Sequence, residues 1–230
     1  MQNGNNSTFW AGGLSIGVSS GFAGSVTIEF NIFKGNHCAS GAGGLFGGSD
    51  TGLTRIENNL VIGNSSDGGW GGAQIVCNGP EFFITNNTFA DNTGMVDGGL
   101  RTSGSAPTWI TNNIFWGNVG WDLNLGTLTP IVVRNNYGTL LGSSGTGSVD
   151  NISLDPDFAD TDDYHLKESS PSVNSRLNMP AGGLPVQDLE GGPRIQGSVV
   201  DMGAYESPVL FIDDFEEGDT SAWSVTVPGG

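Results

Sequence analysis

The side chains best suited to catalysis in this sequence are two carboxylates and a guanidinium: Asp97, Arg101 and Asp122. Glycoside hydrolases use a pair of carboxylates as general acid and as base or nucleophile, and polysaccharide lyases place a basic side chain nearby. Arg101 falls in a predicted outward column of strand residues, and the two aspartates flank that column. The alternative is a salt bridge on a solvated face. A lyase for acidic glycans needs several basic groups, and the chain has only 7 Lys and Arg residues.

Aromatic residues suggest a second kind of site, which would bind a ligand without reacting with it. Another predicted outward column reads Thr27, Arg55, Phe83, Trp109 and Val132. Exposed aromatic rings stack well on the apolar faces of sugars. We therefore predict Phe83 and Trp109 as ligand-binding residues. The alternative is that the C-terminal part of the chain folds back and covers both rings.

Acidic residues are dense in one stretch of the C-terminal third: Asp155, Asp157, Asp160, Asp162 and Asp163. Carboxylate oxygens are preferred ligands of Ca²⁺, so these five are candidate metal ligands, with a solvated loop as the alternative. A second calcium candidate is the pair Glu29 and Glu57, whose repulsion Arg55 would otherwise relieve. We expect no other cofactor, because the two histidines lack partners at metal-ligand spacing.

The charge balance narrows the classes of partner. The chain carries 24 Asp and Glu residues against 7 Lys and Arg, for a formal net charge of -17. A nucleic-acid partner needs a basic footprint, so we predict none. We also predict no membrane span, because no apolar run approaches the required length.

The chain has two cysteines. Cys38 and Cys77 either form one disulfide in an oxidising compartment or remain two buried thiols.

Asparagines recur in the pattern apolar-x-Asn-Asn-x-apolar-x-x-Asn. Copies lie at 28–36, 56–64, 84–92 and 110–118, with a decayed copy at 133–137. Aligning the copies gives one set of repeated asparagines, which we predict to be structural: Asn31, Asn59, Asn87, Asn113 and Asn136. Asparagine tolerates a left-handed backbone at turns, and stacked amides hydrogen-bond from copy to copy as a ladder.

Such a repeat predicts a solenoid, because one unit cannot bury its apolar residues alone whereas stacked units share a core. Alternate residues would point inward. The predicted inward columns contain Val26/Ile28, Thr54/Ile56, Phe82/Ile84, Thr108/Ile110 and Ile131/Val133, and then Phe33, Val61, Phe89 and Phe115. We predict an all-β, right-handed parallel β-helix of about five coils over residues 1–142. An irregular tail over 143–206 and a short C-terminal motif over 207–230 follow.

The tail contains a series of short motifs: DPDF at 155–158, DYHL at 163–166, SPSV at 170–173, DLEGGPR at 188–194 and VDMGAYE at 200–206. In order and spacing it resembles the closing region of bacterial exported right-handed β-helix proteins of the choice-of-anchor Q type. The chain departs from that pattern at 173–175, which reads Val-Asn-Ser for Ile-Asp-Ala, and at 190–192, which reads Glu-Gly-Gly for Asp-Gly-Asn. The resemblance implies export and residence at the cell surface, and it implies no particular reaction.

These observations favour a non-catalytic extracellular or cell-surface β-helix with a structural or adhesive role, whose partner is a glycan or another surface component. A polysaccharide lyase or glycoside hydrolase is the second hypothesis, and a subunit of a self-associating extracellular fibre is the third. For the fibre we expect a homo-oligomer formed through the N-terminal coil, within residues 1–30. The first residues lack the basic and apolar regions of a signal peptide, so we expect another export route or a longer parent chain.

Overall fold

The chain forms a parallel β-solenoid, seen here in a computed structural model that describes residues 10–17, 24–174 and 177–208. No α-helix occurs within these ranges. Each turn adds one strand to each of several parallel sheets, so neighbours in a sheet come from successive turns. The predicted all-β, parallel β-helical fold class is confirmed.

Four parallel sheets run along the solenoid. The first sheet contains β1 (Leu14–Ile16), β5 (Leu45–Ser49), β9 (Ala73–Cys77), β13 (Leu100–Gly104), β16 (Leu123–Asn124) and β19 (Leu140–Leu141). The second contains β2 (Val26–Glu29), β6 (Thr54–Glu57), β10 (Phe82–Thr85), β14 (Thr108–Thr111) and β17 (Ile131–Val133). The third contains β3 (Ile32–Lys34), β7 (Leu60–Ile62), β11 (Thr88–Ala90), β15 (Ile114–Trp116) and β18 (Asn136–Tyr137). The fourth contains β4 (His37–Cys38), β8 (Ser65–Ser66) and β12 (Thr93–Gly94).

The solenoid has fewer complete turns than the repeat predicts, if a complete turn is one that contributes a strand to each of the four sheets. The fourth sheet has three strands, so three turns are complete, against the five coils expected. Parallel pairing nevertheless continues beyond residue 142, through bridges from Val133 to Val149 and from Asn136 to Ile152. The predicted self-association surface at residues 1–30 lies partly outside the described residues, as does most of the C-terminal motif at 207–230.

The core consists of side chains stacked in columns along the axis. Ile28, Ile56, Ile84 and Ile110 pair in register in the second sheet, and all are buried. Phe33, Val61, Phe89 and Phe115 form a second buried column in the third sheet. The predicted inward register of these strands is confirmed, because period-two alternation places every second residue in the interior.

The last coil is displaced by one residue from the predicted alignment. Ile110 pairs with Val132, and Trp109 pairs with Ile131. Val132 is fully buried, whereas Ile131 and Val133 are half-buried. The prediction that Ile131 and Val133 point inward and Val132 outward was therefore wrong, since a slip of one residue moves every side chain of a strand to its other face.

The asparagine ladder is present, but its last predicted member was wrong for the same reason. Side-chain amides donate from Asn31 to Asn59, Asn59 to Asn87, Asn87 to Asn113, Asn113 to Asn135 and Asn135 to Asn151, at 2.9–3.1 Å. Asn135, and not Asn136, continues the ladder. The Asn136 side chain instead binds the tail, donating to the carbonyl of Leu154 at 2.7 Å and to Ser172 Oγ at 3.1 Å.

The two roles predicted for the repeated asparagines belong to adjacent residues. Asn58, Asn86 and Asn112 have φ between 53° and 58°, in the left-handed region, and each precedes a ladder asparagine. The residue before the ladder position makes the turn, and the ladder residue hydrogen-bonds to the next coil. Where the repeat lacks a first asparagine, Phe30, Arg134 and Asp150 adopt the same left-handed backbone.

The tail folds back along the second and third sheets. An antiparallel hairpin, β20 (Phe158–Asp160) and β21 (Asp163–Leu166), begins it. Tyr164 packs on Leu60, Ile62 and Ala90 of the third sheet. Side chains at the Asn-Asn turns then bind the tail backbone: Asn58 donates to the carbonyl of Gln187 at 2.7 Å. The tail thereby converts outward faces of the solenoid into a second apolar core.

Candidate functional site

The three catalytic candidates lie on two successive turns, but the two carboxylates accept hydrogen bonds from neighbouring asparagine and threonine groups. Asp97 is completely buried and accepts two hydrogen bonds from Asn124 Nδ2, at 2.8 and 2.9 Å. Arg101 Nη1 lies 3.5 Å from Asp97 Oδ2, and its guanidinium covers the ring of Trp70. Arg101 thus forms a salt bridge, as in the alternative to a catalytic role, but with a buried Asp97 rather than on a solvated face.

Asp122 terminates a second amide ladder that the sequence analysis missed. Asn36, Asn64, Asn92 and Asn118 are linked by side-chain hydrogen bonds of 2.9 Å, and Asn118 Nδ2 donates to Asp122 Oδ1 at 2.8 Å. Asp122 Oδ2 accepts from the main-chain N–H and the hydroxyl of Thr139, at 2.9 and 2.8 Å. The last asparagine of each repeat was the available signal for this second ladder, because it recurs at the same intervals as the asparagines of the first ladder.

The two aromatic candidates have different environments. Phe83 is 6% exposed: Arg55 covers it at 5.1 Å on one side, and the tail covers it at Gly182. A Cβ at Gly182 would stand 2.6 Å from the Phe83 ring, and its φ of 90° also favours glycine. The tail therefore covers Phe83, as in the alternative stated above. Trp109 remains half-buried and stacks on Phe83, with ring centroids 5.1 Å apart.

Trp109 lines a cleft of about 310 Å³ at the C-terminal end of the solenoid. The other walls are Pro107, Thr108, Thr129, Ile131, Gly145 and Thr146. Thr129 and Thr146 are exposed, so the cleft combines an aromatic ring with accessible hydroxyl groups. Both threonines lie beyond the recognisable repeat, so the repeat gives no signal for them.

The five acidic metal candidates are divided among separate partners. Asp157 accepts from Lys167 Nζ at 2.7 Å and from Ser169 Oγ at 2.8 Å, and these hydrogen bonds lower the pKa of its carboxyl. Asp163 pairs with His165, and Asp162 lies 3.6 Å from Lys34 Nζ. In the part of the chain that the structure describes, no group of three or more His, Cys, Asp or Glu side chains is arranged to hold a metal ion.

Some of these acidic residues line a second, larger cleft of about 430 Å³. Asp155, Asp157 and Asp160 lie on its hairpin side, and Trp116 and Asp91 on its solenoid side. Asp91 Oδ2 accepts a hydrogen bond from the Tyr164 hydroxyl at 2.7 Å, so the cleft forms where the tail docks.

The remaining calcium candidate is the pair Glu29 and Glu57. Glu57 pairs with Arg55 at 3.0 Å beside Glu29, and burial raises the pKa of the Glu57 carboxyl.

The cysteines are both buried and are not joined by a disulfide. Burial raises the pKa of the Cys77 thiol to about 12, so it stays protonated and packs as a small apolar group.

Within the described ranges, the structure contains no helix with the length and apolarity that a membrane crossing requires. In the comparisons with known proteins, no family model matches the chain, and neither does any curated protein or solved structure.

Proposed function

We propose that this protein is a non-catalytic β-helix of the cell exterior with a structural or adhesive role, and that it binds glycans through the cleft at Trp109. The observation that carries the proposal is the half-buried Trp109 ring facing a cleft with exposed threonine hydroxyls. An aromatic ring stacks on the C–H face of a sugar, and hydroxyls exchange hydrogen bonds with its edge.

The support beneath Trp109 favours binding, because it fixes the ring before a ligand arrives. Phe83 stacks on Trp109 with an interplanar angle of 20°, and Phe83 is itself packed against Arg55 and against Gly182 of the tail. A preorganised aromatic surface loses little conformational freedom on binding. The cleft is short, and its lining residues carry no charged side chain, which suits a neutral glycan segment.

The contacts of Asp97 and Asp122 support a non-catalytic role. Each carboxylate is buried and hydrogen-bonded to side chains that hold the coils together. A general acid or nucleophile must reach its substrate, and these groups would have to give up structural bonds to do so. Export and surface attachment are part of the proposal and rest on the tail motifs at 155–158, 163–166, 170–173, 188–194 and 200–206.

A glycan array with the wild-type chain, Trp109→Ala and Trp121→Ala tests the proposal. Trp121 is an exposed tryptophan outside the cleft and is therefore the matched control. We expect saccharide binding by the wild type and by Trp121→Ala. Trp109→Ala loses the stack between the indole ring and the sugar, worth about 1.4 kcal/mol, so its affinity for the saccharide should fall about tenfold.

Equal binding by all three proteins, or no binding at all, would contradict the proposed glycan site. Release of reducing ends or of unsaturated products from the bound glycans would contradict the non-catalytic role and favour the glycoside hydrolase or lyase hypothesis. Surface export is tested separately, by fractionating producing cells and locating the protein.

A further inference from the structure

Four ionisable side chains lie buried together where the tail packs on the solenoid. Arg194, Asp188, Asp201 and Glu206 are 1%, 3%, 1% and 5% exposed. With every group charged, three carboxylates would surround one guanidinium, leaving two uncompensated negative charges in the interior. Buried charge is costly unless it is paired or neutralised, so this cluster is expected to hold a proton.

The guanidinium of Arg194 is committed mainly to backbone carbonyls. Nη1 donates to Ala204 at 2.9 Å, and Nη2 donates to Gly203 and Asp201. Nε lies 3.7 Å from Glu206 Oε2 and makes no hydrogen bond. Arg194 thus organises the backbone of the 201–204 turn and only partly compensates the carboxylates.

Glu206 is the least stabilised of the three carboxylates. Asp201 accepts the N–H groups of Asn174 at 2.6 Å and Ser207 at 2.8 Å. Asp188 accepts those of Glu190, Gly192 and Glu206, at 2.9–3.1 Å. Glu206 accepts the Asp201 N–H only at 3.2 and 3.3 Å, together with a backbone hydrogen bond from Gln196. Burial, followed by the neighbouring Asp201 charge, raises the pKa of Glu206 to about 8 against the pull of Arg194.

The turn that this cluster shapes hydrogen-bonds directly to the solenoid. The Gly203 N–H donates to the carbonyl of Asn112 at 2.9 Å, and the Ala204 N–H donates to Thr88 Oγ1 at 3.0 Å. Asn86 Nδ2 donates to the carbonyl of Asp201 at 3.0 Å. These are the bonds that would be lost if the turn around Arg194 loosened.

A second proton binds the same region from the hairpin. His165 Nδ1 pairs with Asp163, Nε2 lies 3.3 Å from Glu190 Oε2, and the ring stacks on Tyr205 at 4.0 Å. Burial lowers the pKa of His165, but the hydrogen bonds to Asp163 and Glu190 outweigh it and raise the pKa above 6.5. Protonated His165 therefore links the hairpin to the 188–206 segment.

We infer that residues 188–206 are a proton-dependent latch, which docks on the solenoid when Glu206 and His165 are protonated and releases as the pH rises. Release would withdraw Leu189 and Tyr205 from the apolar cluster that contains Leu60, Ile62 and Ala90. The latch concerns residues 188–206, none of which lines the proposed glycan cleft.

Both protons act in the same direction. Glu206 holds its proton more tightly when docked than when free, so docking weakens as the pH rises from about 4.5 to about 8. His165 has a raised pKa when docked, so its contribution is complete below about 6.5 and is lost as the pH passes the raised value. Below about pH 6 only Glu206 contributes appreciably to the slope.

Amide hydrogen exchange of the full chain between about pH 5 and pH 9, corrected for the intrinsic exchange rate, tests the latch. In the wild type, protection at Gly203 and Ala204 should fall with pH, by up to about tenfold per pH unit for one carboxyl. The Ile114 amide, which donates to Asn87 inside the solenoid, should stay protected. Glu206→Gln mimics the protonated carboxyl and should abolish the slope below about pH 6.

Glu168→Gln is the matched control, because Glu168 is an exposed tail residue whose removal changes the net charge equally. It should behave as the wild type does. Constant wild-type protection at Gly203 and Ala204 would overturn the latch, as would a Glu206→Gln protein with the wild-type slope. If Glu206→Gln prevents docking at every pH, the ¹³C carboxyl titration of wild-type Glu206 decides: a midpoint well above 4.5 supports the latch, and an ordinary one overturns it.

Discussion

Asp122 takes the place of a fifth asparagine after Asn118, accepting its main-chain N–H at 3.0 Å and its side-chain amide at 2.8 Å. The same carboxylate accepts two hydrogen bonds from Thr139 of the following coil. A residue that would be read as a candidate catalytic acid is therefore the terminus of a structural ladder. A carboxylate suits this end of the ladder because Asn118 and Thr139 both present donors to the Asp122 side chain, and a carboxylate accepts without donating.

Replacement of Asp122 should reveal this role. Asp122→Ala leaves the two buried donors of Asn118 unpaired and also removes the acceptor of the exposed Thr139, which we expect to cost on the order of 3 kcal/mol of unfolding free energy. Asp122→Asn retains one acceptor oxygen for Asn118 and should cost about 1 kcal/mol. Urea unfolding measures both, with exposed Asp67→Ala as the control. Equal losses for Asp122→Ala and Asp67→Ala would remove Asp122 from the ladder.

The register of the last coil is tested by two adjacent substitutions. Val132→Asp buries an unpaired charge and should destabilise by several kcal/mol, as should Ile84→Asp, which lies in the same column with Ile110 between them. Val133 is half-buried, so Val133→Asp should cost no more than about 1.5 kcal/mol. Thermal and urea unfolding give the order. A larger loss for Val133→Asp would restore the alignment that the repeat spacing suggests.

The left-handed turns predict an unusual preference for glycine over alanine. At Asn58, where φ is 53°, both Asn58→Gly and Asn58→Ala lose the hydrogen bond to Gln187. Only alanine places a Cβ in the left-handed conformation, so Asn58→Ala should be less stable than Asn58→Gly by about 1 kcal/mol. Urea unfolding of the two variants isolates this backbone effect. The reverse order would mean that the turn relaxes out of the left-handed region.

His165 should make tail stability depend on pH with a defined sign. Its raised pKa means that it stabilises the folded chain below about pH 6.5 and loses this effect as the pH rises through the folded value. The difference in Tm between the wild type and His165→Gln should be large near pH 5.5 and shrink near pH 8.5. Scanning calorimetry measures it. A difference that stays constant across this range would assign His165 a purely packing role.

The sequence by itself determined the solenoid. Asn59 and Asn87 occupy the same position in successive repeats, and Ile56 and Ile84 each lie three residues before them. Only a stack of coils buries such repeated apolar residues together. Local chemistry was sufficient here, because alternation along a strand and repetition between strands specify which residues point inward.

Only the tertiary structure decided the register where the repeat decays. Asn135 and Asn136 are both asparagines, and the spacing from Asn113 allows either to continue the ladder. Packing of Val132 against the core selects Asn135, and Asn136 is then free to bind the tail. The covering of Phe83 by Gly182 was also decided in three dimensions, because a contact between residues so far apart in sequence leaves no periodic pattern in the chain.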